Sequence, residues 1–336
     1  MVDRPTKTKH THRIKGKFMT PVQTAAKYLV KFSILGALGF TTAACSSLKT
    51  PFNTPSSQYF SSQELPDLAL PAAPLPKPFV GDKYYFSNGW SEQVTGTDAK
   101  TIDILTKRNR KATNYRNFIL PEKYVEGTKA DYFKQSRIPQ DVLWPLVVGN
   151  STSFTTEALT VSKTTGREDQ YAQKWTCAVE GAERVRVLAG EFDTFRVKCD
   201  RRSASNKWWQ SYTWYYAPLI NTYVLRRRNH KTNGESVREL TAVRPSLTSL
   251  PRRQRNAIVS TWQDALENAP RGESRSWNDP ATATATRVEP QLTYKAKNGQ
   301  FCRTYTQSLT RQGDTRTYAG VACRTGKLKW RTPTRG

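Results

Sequence analysis

Five cysteines and three histidines carry most of the reactive chemistry of this 336-residue chain. Four of the cysteines form two pairs in the sequence, Cys177 with Cys199 and Cys302 with Cys323. A disulfide across each loop of about 22 residues would contribute about 3 kcal/mol of stability in an oxidising compartment. Four cysteines allow three pairings; we favour the local one because both pairs fall in predicted hairpins. A zinc site is disfavoured, since no C-x2-C spacing occurs and the pairs are far apart.

The histidines offer little to a catalytic mechanism. His10 and His12 stand near the N-terminus, and His230 lies in the basic run 226–231, where a solvated histidine is expected. No pair of acidic residues is distinguished by its context, and no glycine-rich phosphate loop occurs. The sequence therefore predicts a protein that is not an enzyme and uses no cofactor or metal. An envelope enzyme with an unrecognised carboxylate site stays open as an alternative.

The N-terminus predicts export. Basic residues precede the apolar stretch 32–40, and small residues follow it up to Cys45, the pattern of a signal peptide over residues 1–44. The apolar stretch is about half of the roughly 20 residues that a membrane-spanning helix needs. Thr42-Ala-Ala-Cys45 resembles the lipobox of bacterial lipoprotein signal peptides, although Thr42 stands where Leu is usual. That resemblance implies cleavage before Cys45 and acylation, including palmitate, of this residue.

Two further residues refine the prediction of export. Met19 would begin a leader of ordinary length, so either Met1 or Met19 is the start. Ser46, rather than Asp, follows the lipidated cysteine, which in the resembling lipoproteins favours the outer membrane over the inner membrane. Residues 45–78 are rich in proline and serine and predict an extended tether.

The folded part divides into two predicted domains. Residues 79–245 alternate between apolar and polar positions and contain the turns Asn88-Gly89 and Asn233-Gly234, which predicts a mainly β domain, an antiparallel curved sheet or partly closed barrel. After a linker at 246–251, residues 252–336 predict a small α+β domain, one helix on an antiparallel sheet. We expect Ser249 to cap that helix and Pro251 to lie in its first turn.

Both domains resemble known bacterial proteins. Three segments of the first domain resemble a recurrent β domain of envelope lipoproteins whose activity is uncharacterised. These segments are Val187–Cys199, Thr213–Pro218 and Gly234–Leu240. Several ordered motifs resemble the C-terminal domain of the bacterial 17 kDa surface antigen family, and that resemblance implies an outer-membrane lipoprotein. These motifs are Ala265–Gly272, Trp277–Pro280, Val288–Pro290, Thr293-Tyr294, Gly299–Tyr305, Gly320–Arg324 and Trp330.

The chain is strongly basic. The formal net charge is +26, and without residues 1–44 the chain keeps 45 basic and 26 acidic residues, or +19. Such an excess attracts polyanions, and export makes lipopolysaccharide, peptidoglycan or another envelope protein the expected partner rather than nucleic acid. A merely soluble basic surface is the alternative. The candidate contacts are Arg226, Arg227, Arg228, Arg252, Arg253 and Arg255.

The aromatic run at residues 208–216 has two interpretations. Its six Trp and Tyr residues would mainly supply the core of the sheet, but one face could instead line a groove for a lipid or a glycan. The sequence as a whole predicts a lipid-anchored outer-membrane lipoprotein, facing the periplasm or the cell surface, with a structural or binding role. A periplasmic groove-type carrier is the alternative.

Overall fold

The computed structural model describes residues 61–64, 68–136, 139 and 141–333. The predicted signal peptide, with Met1 and Met19, lies outside these residues, as do the lipidation site Cys45 and most of the tether. The described residues all fall within one compact unit. In this part of the chain, every helix is too short or too polar to cross a bilayer.

Twelve antiparallel strands form a closed barrel, so the predicted mainly β fold is confirmed. The ring closes where the last barrel strand pairs with the first, with Leu240 opposite Phe86. An additional short strand, β1 (Ser61–Glu64), pairs with the end of the longest barrel strand. The barrel strands are β2 (Lys83–Phe86), β3 (Ser91–Thr97), β4 (Thr101–Thr106), β5 (Lys111–Tyr115), β6 (Tyr124–Glu126), β7 (Ala130–Ser136), β8 (Ser151–Ser162), β9 (Glu168–Val187), β10 (Gly190–Ser203), β11 (Trp208–Ala217), β12 (Thr222–His230) and β13 (Gly234–Arg244).

Local sequence explains the hairpins of the barrel. The two Asn-Gly turns join β2 to β3 and β12 to β13, as predicted. Gly89 and Gly234 have φ values of 71° and 65°, a region that glycine enters without steric cost. Along β9, buried and exposed residues alternate over much of the strand, so that one face points into the barrel.

A second antiparallel sheet carries the α-helix. Its strands are β14 (Arg275–Asp279), β15 (Thr284–Lys295), β16 (Phe301–Arg311), β17 (Asp314–Gly326) and β18 (Lys329–Arg331), in that order. The helix α1 (Arg252–Asn268) buries Ile258, Trp262, Ala265 and Leu266 at the predicted spacing. The prediction that Ser249 caps α1 is wrong, because Pro251 occupies the capping position and no side chain caps the helix.

The two sheets meet at a close backbone contact. Ala242 of β13 pairs with Gly320 of β17, and a Cβ atom on Gly320 would lie 2.5 Å from the Cβ of Ala242. Nearby, the buried Asp82 accepts a hydrogen bond from the Ser246 N–H at 3.1 Å and another from the Tyr318 hydroxyl at 3.4 Å. Burial raises the pKa of Asp82 to about 6. The predicted domain boundaries themselves stay predictions.

Each region contains one disulfide between directly opposed strand residues. Cys177 of β9 is bonded to Cys199 of β10, and Cys302 of β16 is bonded to Cys323 of β17. Both bonds follow the local connectivity, and three of the four cysteines are almost fully buried.

Candidate ligand cavity

A cavity of about 240 Å³ lies inside the barrel. Residues from strands all around the ring contribute to its wall. Nine of the residues that line it are aromatic and seven are charged, and aliphatic side chains such as Ile104, Ile119 and Leu120 also line it. The aromatic residues are Tyr84, Phe86, Trp90, Tyr115, Phe118, Trp175, Tyr212, Trp214 and Tyr223.

The register of three neighbouring strands explains this mixture of aromatic and basic residues. Tyr212 and Trp214 alternate on β11 and therefore share one face. Opposite them on β12 stand Arg228 and Arg226, respectively. Arg226 in turn stands opposite Arg238 of β13. An alternating aromatic strand thus lies beside an alternating arginine strand on the inner wall.

The rings on this wall form a stacked series. The ring centres of Trp175 and Tyr212 are 6.1 Å apart with an interplanar angle of 8°. Those of Tyr212 and Trp214 are 4.9 Å apart with an angle of 21°. Phe118 packs against Trp214 with its ring centre 5.6 Å away. The aromatic run therefore contributes to the core and to the cavity wall at once.

The two acidic residues of the cavity already have basic partners. Glu122 pairs with Lys134 at 3.0 Å, and Lys134 is the main cause that lowers the pKa of Glu122 to about 2, with a smaller contribution from Arg226. Glu92 pairs with Arg238 at 3.4 Å and accepts a hydrogen bond from Trp90 Nε1 at 2.6 Å. Each of the two carboxylates is therefore already engaged by a basic side chain.

Two arginines of the cavity wall, Arg201 and Arg226, have neither a carboxylate partner nor a backbone carbonyl partner among the described residues. Arg226 and Arg201 form no ion pair with a carboxylate among the described residues, and the Nε atom of each is buried without a hydrogen-bond partner there. The guanidinium of Arg226 lies 5.7 Å from the ring centre of Tyr212. That of Arg201 lies 5.8 Å from the ring centre of Trp175, and burial lowers the pKa of Arg201. Both retain their charge at neutral pH, because arginine does not deprotonate in proteins.

The six arginines predicted to contact polyanions do not form one surface. Arg226 lines the cavity, and Arg228 donates through Nε to Gln210 Oε1 at 3.1 Å on the same wall. Arg227 alternates with them and lies on the opposite face of β12. The remaining three lie in the first turn of α1, where Arg252 and Arg253 are exposed and Arg255 is half-buried.

His230 lies at the end of β12 and is partly exposed. Slight desolvation and the nearby Arg228 and Arg201 lower its pKa. Its Nδ1 atom is 3.0 Å from the hydroxyl of Thr232. Among the described residues, no group of three or more His, Cys, Asp or Glu is arranged to hold a metal ion.

Sequence reasoning missed several residues of the cavity. Arg201, Arg238, Glu92 and Glu122 are far apart in the chain, and each looks like an ordinary polar residue of a strand or loop. The signal that could have identified two of them is an arginine at an inward position of an alternating strand. Arg201 follows Cys199 by two residues, and Arg238 is opposite Arg226.

The second sheet uses its polar residues differently. Arg303 of β16 is buried and donates to the carbonyl oxygens of Leu266 and Ala269, both at 2.8 Å, at the C-terminal end of α1. Trp330 Nε1 donates to Glu267 Oε2 at 2.8 Å. The rings of Trp262 and Tyr305 meet edge to face at 5.5 Å. These contacts fasten the helix to the sheet.

Comparison with known proteins concerns this second region. Residues 264–331 match the family model of the 17 kDa outer membrane surface antigen. The resemblance seen in the sequence motifs is thereby confirmed. The matched segment includes Arg303, Tyr305 and Trp330, so several shared motifs coincide with the contacts that hold α1.

The curated relatives are 17 kDa surface antigens of Rickettsia species. The protein of Rickettsia bellii is 40% identical over 70 residues, which are 21% of this chain and 44% of the relative. That of Rickettsia prowazekii is 37% identical over 76 residues, or 23% of this chain and 48% of the relative. The chain thus spans less than half the length of these relatives.

One solved structure shows a weak similarity to this chain. The crystal structure of the hypothetical lipoprotein YmcC from Escherichia coli aligns with a TM-score of 0.36 and 10% sequence identity, covering 49% of this chain and 84% of that chain. This score is too low to assign a shared fold.

Proposed function

We propose that this protein is a lipid-anchored protein of the bacterial outer membrane that acts by binding an anionic envelope component. The cavity supports this proposal most strongly, because unpaired arginines and aromatic rings line the interior of the barrel. Concave sites with an apolar wall and a few convergent polar groups are typical ligand sites.

Two independent observations support the proposed localisation. The segment Thr42–Cys45 resembles a lipobox, and residues 264–331 match a family described as an outer membrane surface antigen. On this proposal Cys45 carries the lipid, and the tether holds the barrel away from the membrane. The protein faces the periplasm or the cell surface.

The expected partner is an anionic polymer such as lipopolysaccharide or a peptidoglycan component. The mature chain has an excess of 19 positive charges, which attracts such polymers over distances up to the Debye length. The exposed Arg252 and Arg253 belong to this outer charge, whereas Arg226 belongs to the cavity wall.

The intact mass of the protein and the fractionation of the envelope test the proposed localisation. The wild-type protein extracted from its own envelope should begin at Cys45, carry acyl chains and sediment with outer membranes, and Cys45→Ser should abolish all three properties. An unprocessed wild-type mass would contradict the anchoring.

Binding assays test the activity. The mature protein should bind phosphorylated lipopolysaccharide more tightly than dephosphorylated lipopolysaccharide, and the difference should shrink with added salt. Equal binding of both forms at every salt concentration would overturn the anionic partner.

A further inference from the structure

The charges of the cavity do not balance. Five basic residues line it against two acidic ones, Glu92 and Glu122. The acidic residues are taken by Arg238 and Lys134. The basic residues are Arg116, Lys134, Arg201, Arg226 and Arg238.

One of the remaining cations has a structural role. Arg116 donates through Nε to the carbonyl of Pro76 at 2.8 Å and through Nη1 to the carbonyl of Ala99 at 3.0 Å. It thereby ties a connecting segment to the barrel. Arg201 and Arg226 remain. Arg201 donates to the amide oxygen of Gln173 at 3.4 Å and lies over the ring of Trp175, and Arg226 lies over the ring of Tyr212.

Two partly desolvated guanidinium groups without a carboxylate are unfavourable. Buried charges in proteins are ordinarily paired, because the free-energy cost of removing a charge from water exceeds the stabilisation that uncharged contacts provide. Arg226 also faces the like charge of Arg238 across the strand pair. Glu122 interacts electrostatically with both Arg226 and Arg201, so the two guanidinium groups face the same part of the cavity. An anionic group bound there would supply the missing partner and form charge-assisted hydrogen bonds.

The rest of the wall constrains the ligand that carries this anion. At about 240 Å³, the cavity lies just below the usual volume range of ligand sites, which is about 300–1,000 Å³. Its wall combines rings and several aliphatic side chains with seven charged residues and the polar side chains of Gln210, Asn114 and Thr222. A long acyl chain requires a larger and more uniformly apolar space, whereas a sugar ring presents apolar C–H faces and hydroxyl groups together.

From these observations we infer that the barrel cavity binds an acidic saccharide unit, a pyranose that bears a carboxylate or a phosphate, with its anionic group on Arg226 and Arg201. The sugar ring lies against the series of rings formed by Trp175, Tyr212 and Trp214. This inference rests on the proposed function and adds to it the class of ligand and its site.

Titration of the mature protein in neutral detergent tests the inference. The probes are a disaccharide with one glucuronate residue, glucose 6-phosphate, the neutral disaccharide of the same linkage, and dodecyl phosphate. The readouts are tryptophan fluorescence, since Trp90, Trp175 and Trp214 line the cavity, and calorimetry. We expect at least one acidic saccharide to bind about tenfold or more tightly than the neutral one, a difference of about 1.4 kcal/mol.

Variants locate the site. Arg226→Gln should remove most of the preference for the acidic saccharide, and Arg201→Gln gives the same test if the first variant does not fold. Arg227→Gln is the matched control, since it removes the same charge from the opposite face of the same strand, and should leave the affinity unchanged. Tyr212→Leu should weaken acidic and neutral saccharides alike.

The outcomes separate this inference from the proposed function. Preference for glucuronate or for the sugar phosphate identifies the anionic group. Binding of dodecyl phosphate without either acidic saccharide would overturn the saccharide inference and leave an anion-binding envelope protein. Equal losses in Arg226→Gln and Arg227→Gln, or equal affinity for neutral and acidic saccharides, would also overturn it. Retained lipopolysaccharide binding in those cases keeps the proposed function intact.

Discussion

The barrel and the helix-bearing sheet differ in the partners of their inward-pointing arginines, which are half-buried in the barrel and buried in the sheet. In the sheet, Arg303 is 7% exposed, and its guanidinium donates to carbonyl oxygens at the end of α1, where the helix dipole also favours a cation. In the barrel, Arg226 and Arg201 have no carboxylate partner among the described residues and lie against aromatic rings. The same residue type is held by backbone carbonyls in one region and, among the described residues, has no carboxylate partner at two positions of the other.

This difference distinguishes the residues that lie in the segment matched by the surface antigen family from the residues that line the cavity. The segment that matches the surface antigen family includes Arg303, Tyr305 and Trp330, and these residues fasten α1 to the sheet. The cavity lies outside the matched segment. The family match therefore concerns the helix-bearing sheet, and the ligand proposed for the barrel is argued from the residues of the cavity alone.

Replacing Arg303 should have the largest effect on stability. Arg303→Met keeps much of the volume but leaves the carbonyls of Leu266 and Ala269 without their buried donor. We expect the free energy of unfolding to fall by about 3 kcal/mol, as measured by urea denaturation. Arg287→Met, at an exposed position of β15, is the control and should change it by less than about 0.5 kcal/mol. Equal effects would contradict the structural role of Arg303.

The contact between the two regions should be sensitive to a single methyl group. Gly320→Ala would place a Cβ 2.5 Å from the Cβ and 3.0 Å from the Cα of Ala242, so the backbone must shift. We expect a loss of about 2 kcal/mol in the same denaturation assay. Gly326→Ala on the same strand is the control, because its nearest neighbour is a flexible Lys329 atom at 3.7 Å. A tolerated Gly320→Ala would mean that the sheets meet less closely than described.

Asp82 makes this junction dependent on pH. Burial raises its pKa from 3.8 to about 6, while the Ser246 N–H, the cations Arg311 and Arg316, and the Tyr318 hydroxyl act in the opposite direction. Because the folded state holds the proton more tightly than the unfolded state, the contribution to stability is present below pH 4 and is lost as the pH rises through 6.

The Asp82→Asn variant tests this dependence. Its amide oxygen can still accept the Ser246 N–H, and it carries no charge to desolvate. We expect the variant to be more stable than the wild type at pH 8, by about 2 to 3 kcal/mol, with a flatter stability profile between pH 4 and 7. A wild-type profile without a decline in that interval would show that Asp82 does not titrate as described.

Replacing a cavity arginine should have the smallest effect on stability and, unlike Arg303→Met, should not lower it. Arg226→Gln removes an unpaired cation that faces Arg238. Without ligand, the free energy of unfolding should stay unchanged or rise by less than about 1 kcal/mol. A loss as large as that of Arg303→Met would place Arg226 among the structural residues and erase the contrast between the regions.

Local patterns predicted much of the fold. The Asn-Gly turns, the alternating strands and the apolar spacing of α1 depend on neighbours within the same segment, and all appear in the structure. Closure of the barrel depends on the pairing of Leu240 with Phe86, more than 150 residues apart. The capping prediction at Ser249 was wrong, because Pro251 itself precedes the helix.

The cavity was harder to anticipate for the same reason. The sequence indicated an aromatic strand and a run of three arginines, but not that they are adjacent. Alternation divides that run, so that Arg226 and Arg228 share a wall with Tyr212 and Trp214 while Arg227 lies on the other face. The partners of Glu92 and Glu122 lie on distant strands and depend on the closed ring.

Native mass spectrometry of the protein extracted from its own envelope tests the central claim most directly. The account predicts that the mature wild-type protein retains a bound acidic saccharide, seen as a mass adduct released on denaturation. Arg226→Gln should lose the adduct, and Arg227→Gln should keep it. An adduct of equal occupancy in all three proteins, or none in the wild type, would contradict the assignment of the barrel cavity as the ligand site.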